Sequence, residues 1–372
     1  MTKILLHEKM YARTLIRRMI AIASRKEVAE LAGVSEATVS RVMNNVGPLK
    51  EETKLKVLSA AKELGYVPSS LARSFARKRS GNLGVVMPYL PKARLFSAYY
   101  FSEILSGIGS KAREEGYDLL VLFRDPDGAL DYSGLFGMRK IDGCIILGAK
   151  DDPEELQALR QLKDSTQPFC LINQHFADEG FFEVDADHES GSWQAVKHLA
   201  QQGYRKIAFL NGPPEYSNSR DRQQGYRRAL EEEGLPWDLA LQFKGNFSRR
   251  SGIQAAKEMA SVLDRIDAIF AGNDRMAIGL QQGFREMGIS DDRIPAIVGY
   301  DDSDAAELTM PALSSVRVPF FQLGEIAASH VLQMMEDEAR TGSMQGFASI
   351  KLPTELVVRE SSYSLRQKEE QG

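Results

Sequence analysis

The stretch EVAELAGVSEATVSRVM, residues 27–43, carries small and apolar side chains at helical spacing and is broken once, at Gly33-Val34-Ser35. Apolar residues recurring every three or four positions mark one face of a helix. The break reads as punctuation: a glycine closes one helix, and the hydroxyl of Ser35 accepts from the first free amides of the next. Two short helices joined by so brief a turn, with Ala29, Leu31, Val34 and Val39 turned inward, form a helix-turn-helix.

The outward residues of the second helix are then Glu36, Ala37, Thr38, Ser40, Arg41 and Asn44. In such a unit the start of the second helix meets base edges in the major groove of DNA, while neighbouring hydroxyls and amides hold phosphates. Arg41 suits guanine O6 and N7, Glu36 the cytosine amino group, and Ala37 a thymine methyl. Thr38, Ser40 and Asn44 suit phosphate or mixed contacts. The competing reading is a solvated helical hairpin.

Charge weighs against that alternative. Residues 1–24 carry a net +4, residues 25–80 a net +5, and the remainder −13, within a whole-chain charge of −4. A basic front on an acidic body points to a polyanion partner for the front alone. Around the motif, Ser24 and Glu27 have capping-box spacing. A third helix fits Glu51 to Leu64, closed by Gly65, although Lys50 stands where a capping hydroxyl belongs. A short basic helix, LARSFARKR at 71–79, leads into the body.

From about residue 82 the pattern changes. Seven apolar runs, at 83–88, 117–123, 142–148, 168–173, 206–212, 267–274 and 295–301, alternate with amphipathic stretches that end in Gly116, Gly203, Gly234 and Gly288. That alternation predicts an α/β body with parallel, doubly wound sheets. Nearly 300 residues are about twice the usual domain, so two lobes are expected. Cys144 and Cys170 sit in apolar runs and read as buried thiols of a reducing compartment. No apolar run approaches a membrane span, and Arg13, Arg17 and Arg18 interrupt the only leader-like stretch, so a cytoplasmic protein is expected. Residues 1–23 read as an extension, with Met19 an alternative start.

AELAGVSEATVSRVMNN followed by ELGYVPSSLARSFARKRSGNLGVVMP resembles the lactose and galactose repressor family of bacterial transcription regulators. The likeness covers residues 24–360. It implies a helix-turn-helix headpiece (24–70), a hinge helix (71–80) that folds on operator DNA, and a body (82–360) similar to periplasmic sugar-binding proteins, followed by a polar tail (361–372). In the family the hinge helices of two subunits insert a Leu pair into the minor groove. Here that position is Phe75, which can also wedge a base step apart, flanked by Arg73 and Arg77 for phosphates. The competing role for Phe75 is packing against the body.

Ligands of open α/β sheets bind beyond the carboxyl ends of the strands, where Met87-Pro88, Gly148, Asn173, Gly212, Asn273-Asp274 and Tyr300-Asp301 stand. By resemblance, Arg222 grips the effector, Asn218, Asn273 and Asp301 match effector-binding positions, Asn173 replaces a frequent Asp, and Phe247 and Phe320 face the ligand. Amides and carboxylates suit a polyhydroxyl ligand, most simply a mono- or oligosaccharide, with a purine or sugar phosphate as the alternative. Asp274 and Asp301 could instead be helix caps, Phe247 and Phe320 core residues. Asp187 reads as a cap, and the histidines show no ligand spacing, His175 reading as a loop residue. The expectation is a transcriptional regulator, a repressor, working as a homodimer on double-stranded operator DNA. No enzyme activity, cofactor or metal is expected, and the chain should pass between lobes near residues 187, 318 and 343.

Overall fold

The computed structural model describes residues 23–44, 46–66, 79–89, 98–124, 131–341 and 348–363. The chain divides into two compact units, residues 1–80 and 81–372. Phe75, Arg73 and Arg77 lie outside the described residues.

The small unit contains helices α1 (Arg25–Ala32), α2 (Glu36–Met43) and α3 (Glu51–Leu64). The Ser24 hydroxyl accepts from the Glu27 amide while the Glu27 carboxylate accepts from the Ser24 amide, so the expected capping box is formed. At the turn, Gly33 adopts φ 66°, a left-handed conformation that costs an L side chain about 1–2 kcal/mol. One residue on from Val34, the Ser35 hydroxyl accepts from the Thr38 amide and starts α2. The core is Val28, Ala29, Val39, Val42, Val57, Ala60 and Ala61, small side chains that let three short helices approach closely. Val34 packs against this core, but Leu31, expected inward, is 48% exposed. An eight-residue helix buries only one narrow stripe, and Val28 and Ala29 fill it. As expected, α3 begins at Lys50 with no side-chain cap.

In the large unit, β1 (Asn82–Pro88), α4 (Tyr99–Glu114), β2 (Asp118–Arg124), α5 (Tyr132–Gly137), β3 (Gly143–Leu147), α6 (Pro153–Asp164), β4 (Phe169–Ile172) and β5 (Glu183–Ala186) build lobe 1. Lobe 2 follows with α7 (His188–Gln201), β6 (Ile207–Asn211), α8 (Ser217–Glu232), β7 (Gln242–Lys244), α9 (Arg249–Ala260), β8 (Ala268–Ala271), α10 (Asp274–Glu286), β9 (Ala296–Asp301), α11 (Asp304–Glu307) and β10 (Ser314–Arg317). Then α12 (Phe320–Thr341) returns to pack on α4, β3, β4 and β5, β11 (Ile350–Leu352) joins the first sheet, and β12 (Glu355–Val357) the second.

The sheet orders are β11-β5-β4-β3-β1-β2 and β12-β10-β9-β8-β6-β7. All pairings are parallel except β10 with β12. Strands such as β1, β3, β4 and β8 are buried on both faces, which is why they read as continuous apolar runs. The chain passes between sheets after β5, after β10, and between β11 and β12. The first two passages lie at residues 187 and 318–319. The third falls at Pro353-Thr354 and not near 343, because after α12 the chain first adds β11 to the edge of the lobe 1 sheet.

Candidate nucleic-acid interface and interlobe site

On α2 the outward set is arranged as expected. Glu36, Ala37 and Arg41 are exposed, and Thr38, Ser40 and Asn44 are half-buried. Arg25 Nε lies 3.1 Å from the Glu36 carboxylate, and the Thr38 hydroxyl lies 3.0 Å from that of Ser35. Arg41 Nη2 donates to the Pro48 carbonyl at 3.3 Å, and Asn44 Nδ2 donates to the Ser40 carbonyl at 2.8 Å. The contacts of Arg25, Thr38 and Arg41 are exposed and of modest strength, whereas that of Asn44 is part-buried.

In the body, five of the seven expected ligand residues converge where the strand ends of the two lobes meet. Arg222, on the first turns of α8, is 2% exposed. Its Nη1 donates to the Gly272 carbonyl at 2.8 Å, and its guanidinium lies 4.1 Å from the centre of the Tyr300 ring and 5.8 Å from that of Phe247. Its Nε has no hydrogen-bond partner among the described residues, nor has Asn218 Oδ1 one turn before it or Asp221 Oδ2 beside it. Asn173 follows β4, and its Oδ1 lies 2.7 Å from His188 Nε2. Asp301 closes β9, where burial, partly offset by the Arg222 charge, pushes its carboxyl well above the usual range.

Backbone conformation marks some of the same places. Of the seven described non-glycine residues with positive φ, three, Asn173 (58°), Phe247 (61°) and Asp301 (107°), belong to the expected set, while Arg139, Thr166, Asp178 and Asp302 do not. Such strain persists where the surroundings enforce it and concentrates at functional sites. Phe247 lays its ring over Gly212 at the end of β6, where a Cβ would collide with it.

Two expected residues have other work in this structure. The Asn273 side chain caps α10, its Oδ1 accepting from the Met276 amide and its Nδ2 donating to the Phe247 carbonyl. It therefore holds the segment that carries Phe247. Phe320 is fully buried in the core, edge-on to Tyr100 at 5.1 Å. Asp274 is not a cap: fully buried, it accepts from the Ser303 and Ser315 hydroxyls and the Ser303 amide, and burial raises its carboxyl to about 6. Asp187 does cap α7, as expected.

Sequence reasoning missed a chain of polar contacts across the lobes. His188 is fully buried, with Nδ1 3.1 Å from the Tyr300 hydroxyl, so one imidazole joins Asn173 of lobe 1 to Tyr300 of lobe 2. Burial first, then the Arg222 charge, lowers it to about 4, so it is neutral at pH 7. The Ser217 amide donates to Gln174 Oε1 at 2.9 Å, and the His175 amide donates to the Ser217 hydroxyl at 2.9 Å. His175 is not a loop bystander: its Nδ1 lies 3.0 Å from Asp185 Oδ2 and 3.6 Å from Asp221 Oδ2. Burial alone would raise Asp185, but its contacts with His175 and His188 outweigh that and hold it below its ordinary value. The only sequence signal was His175 lying two residues past a strand end.

Residues 25–69 match the bacterial regulatory proteins of the lacI family, and residues 196–362 match the periplasmic binding protein-like domain. The chain is 31% identical over 346 residues to the HTH-type transcriptional regulator DegA of Bacillus subtilis, covering 91% of this chain and 98% of that one. It belongs to the lacI family. Among solved structures it is similar to the lac repressor dimer bound to operator and the anti-inducer ONPF, with TM-score 0.80, 26% identity and coverage of 92% and 100%. It is also similar to the CelR-cellobiose complex, with TM-score 0.68, 29% identity and coverage of 91% and 99%. As a lacI-family member the protein is a DNA-binding transcriptional regulator and not an enzyme. Among the described residues no helix is long and apolar enough to cross a membrane.

Proposed function

We propose that this lacI-family protein is a cytoplasmic repressor whose homodimer binds a near-palindromic operator through α2, and whose operator affinity is set by a carbohydrate held between the lobes. Glu36, Ala37, Thr38, Ser40, Arg41 and Asn44 are the reading and phosphate-holding set, with Phe75, Arg73 and Arg77 serving the operator centre. Asn173, Asn218, Arg222, Phe247 and Asp301 hold the effector. Asn273 and Phe320 act behind them by shaping the Phe247 segment and the cleft floor.

One observation carries the choice of ligand. Arg222 Nε offers a donor and Asn218 Oδ1 an acceptor, both buried and without hydrogen-bond partners among the described residues. Buried polar groups are nearly always satisfied. Hydroxyl groups, which donate and accept at once, answer such a mixed set better than a phosphate, which only accepts. An aromatic ring over the same place, Phe247, suits the C–H face of a sugar. The ligand acts through its differential affinity for two lobe arrangements, and the contacts between Asn173, His188 and Tyr300 are those that a change in lobe angle must alter.

The test is a thermal-shift screen of the purified protein against mono- and disaccharides, sugar phosphates and purines, followed by operator binding with each hit. A native-state ligand at a hundred times its Kd stabilises by about 2.7 kcal/mol, a readable shift. A neutral sugar that both raises the melting point and changes operator affinity supports the reading. Hits confined to purines or sugar phosphates overturn the carbohydrate assignment, and sedimentation of the free protein as a monomer or tetramer overturns the dimer.

A further inference from the structure

His175, Asp185 and Asp221 each point one donor atom into the same small volume at the lobe junction, all three atoms lying within 4.8 Å of one another. We propose that they form a divalent transition-metal site, of the zinc class, that ties lobe 1 to lobe 2. His175 and Asp185 belong to lobe 1, on the segment after β4 and on β5; Asp221 belongs to α8 of lobe 2.

The geometry suits a tetrahedral ion. Zinc bonds of about 2.0–2.2 Å to nitrogen and oxygen place neighbouring ligand atoms about 3.3 Å apart. The His175 nitrogen lies 3.0 Å from Asp185 Oδ2 and 3.6 Å from Asp221 Oδ2, on either side of that value. The third side is no longer than 4.8 Å, so closing it needs side-chain movement of at most about 1.5 Å. One imidazole and two carboxylates suit zinc and its neighbours, whereas calcium takes six to eight oxygens. The fourth position falls to water.

A second observation points to a missing partner. Asp221 is 7% exposed, yet its Oδ2, the atom facing His175, has no hydrogen-bond partner among the described residues. Its nearest cationic group is His175 Nδ1 at 3.6 Å, beyond hydrogen-bond reach, so the carboxylate is buried without the hydrogen bond that would offset its desolvation. The other two ligands are already oriented. Asp185 Oδ1 accepts from the Ala186 amide at 2.8 Å, which turns Oδ2 toward the cluster, and the His175 backbone is held by Ser217. Such outer contacts fix metal ligands in place. The His175 side chain is 31% exposed, which leaves an entry path. Nearby Glu183 adds a third carboxylate, and Lys351 opposes the three.

The test uses the full chain, stripped with a chelator and titrated with zinc chloride against a fluorescent zinc indicator at pH 7.5. One zinc per chain with a Kd of about 10 µM or tighter is expected. Asp221→Asn and His175→Gln should each weaken it at least about tenfold. Zinc should raise the melting point of the wild type and of neither variant, and cobalt should give the visible absorption of a tetrahedral site. Cys144 and Cys170 do not compete, being fully buried, with the Cys144 thiol pushed up by burial to about 12. The proposal is overturned if the wild type takes up no stoichiometric zinc at about 100 µM free ion, or if His175→Gln binds it as the wild type does. Should Asp221→Asn fail to fold, the more exposed His175→Gln decides between the two outcomes. Neither DNA nor sugar enters the measurement, so its failure leaves the regulator reading intact.

Discussion

Arg222 shows how one side chain can belong to fold and function together. Its guanidinium is anchored by the Gly272 carbonyl and the Tyr300 ring, which fixes its direction, while Nε has no hydrogen-bond partner among the described residues, as the proposed effector site requires. Arg222→Ala should therefore abolish the sugar-induced rise in melting point while leaving operator binding measurable, as read by thermal shift and fluorescence anisotropy. A retained sugar shift would remove Arg222 from the effector site. On the headpiece, the Arg41 guanidinium is held among the described residues by a single hydrogen bond, to the Pro48 carbonyl. Arg41→Ala should cost about 1–3 kcal/mol of operator affinity and relax discrimination at one base pair, with little effect on nonspecific binding. Equal losses on operator and random DNA would instead mark Arg41 as a phosphate contact.

Helix ends account for much of what the sequence made legible. Ser24, Gly33, Ser35 and Asp187 were all readable as caps because capping is a local affair of one side chain and two or three amides. The uncapped start of α3 was readable for the same reason, and Lys50→Ser should stabilise the headpiece by about 1 kcal/mol, measured by denaturant melts. An unchanged or lowered midpoint would show that tertiary contacts already hold that end. The seven apolar runs all became strands, but β5, β7, β10, β11 and β12 were not legible. They are three or four residues long, and in β10 the polar residues face inward: Ser314 and Ser315 are fully buried and bonded to Ser362 and Asp274. A hydropathy pattern reads such serines as loop. The strand-end rule found Asn173 and Asp301, because it needs only local order. It missed His188, Asp185 and Asp221, whose partners lie on segments that only the fold brings together. Phe320 was left between ligand and core because an aromatic residue at a helix start carries no sign of which side of the helix is core, and in the structure it is buried edge-on to Tyr100.

At the scale of the molecule, the lobe junction couples stability to pH. The hydrogen bond to Asp185 raises His175 above its ordinary value, and burial raises Glu183 to about 7. A group raised on folding binds protons more tightly in the native state, so it stabilises on the acid side, and the effect fades as pH rises through the native pKa. For His175 the contribution is complete below about 6.5 and is lost above it; for Glu183 it fades between about 4.5 and 7. His188, lowered to about 4, works in the opposite direction but only between about 4 and 6.5. The metal-free protein should thus lose melting temperature as pH rises from 6.5 to 8. His175→Gln should flatten that slope, and Glu183→Gln should flatten the fall between about pH 4.5 and 7. A melting point that climbs between about pH 6.5 and 8 would contradict the assignment of both groups.

The third passage between the sheets bears on how the protein is made. Strands β11 and β12, separated only by Pro353-Thr354, complete the edge of one sheet and then the edge of the other. While the chain is still being synthesised, the lobe 1 sheet cannot close its hydrogen-bonded border before residue 352 has left the ribosome, nor the lobe 2 sheet before residue 357. A premature stop upstream of residue 350 would spoil both halves at once, so translation itself acts as an all-or-none check on the finished sensor.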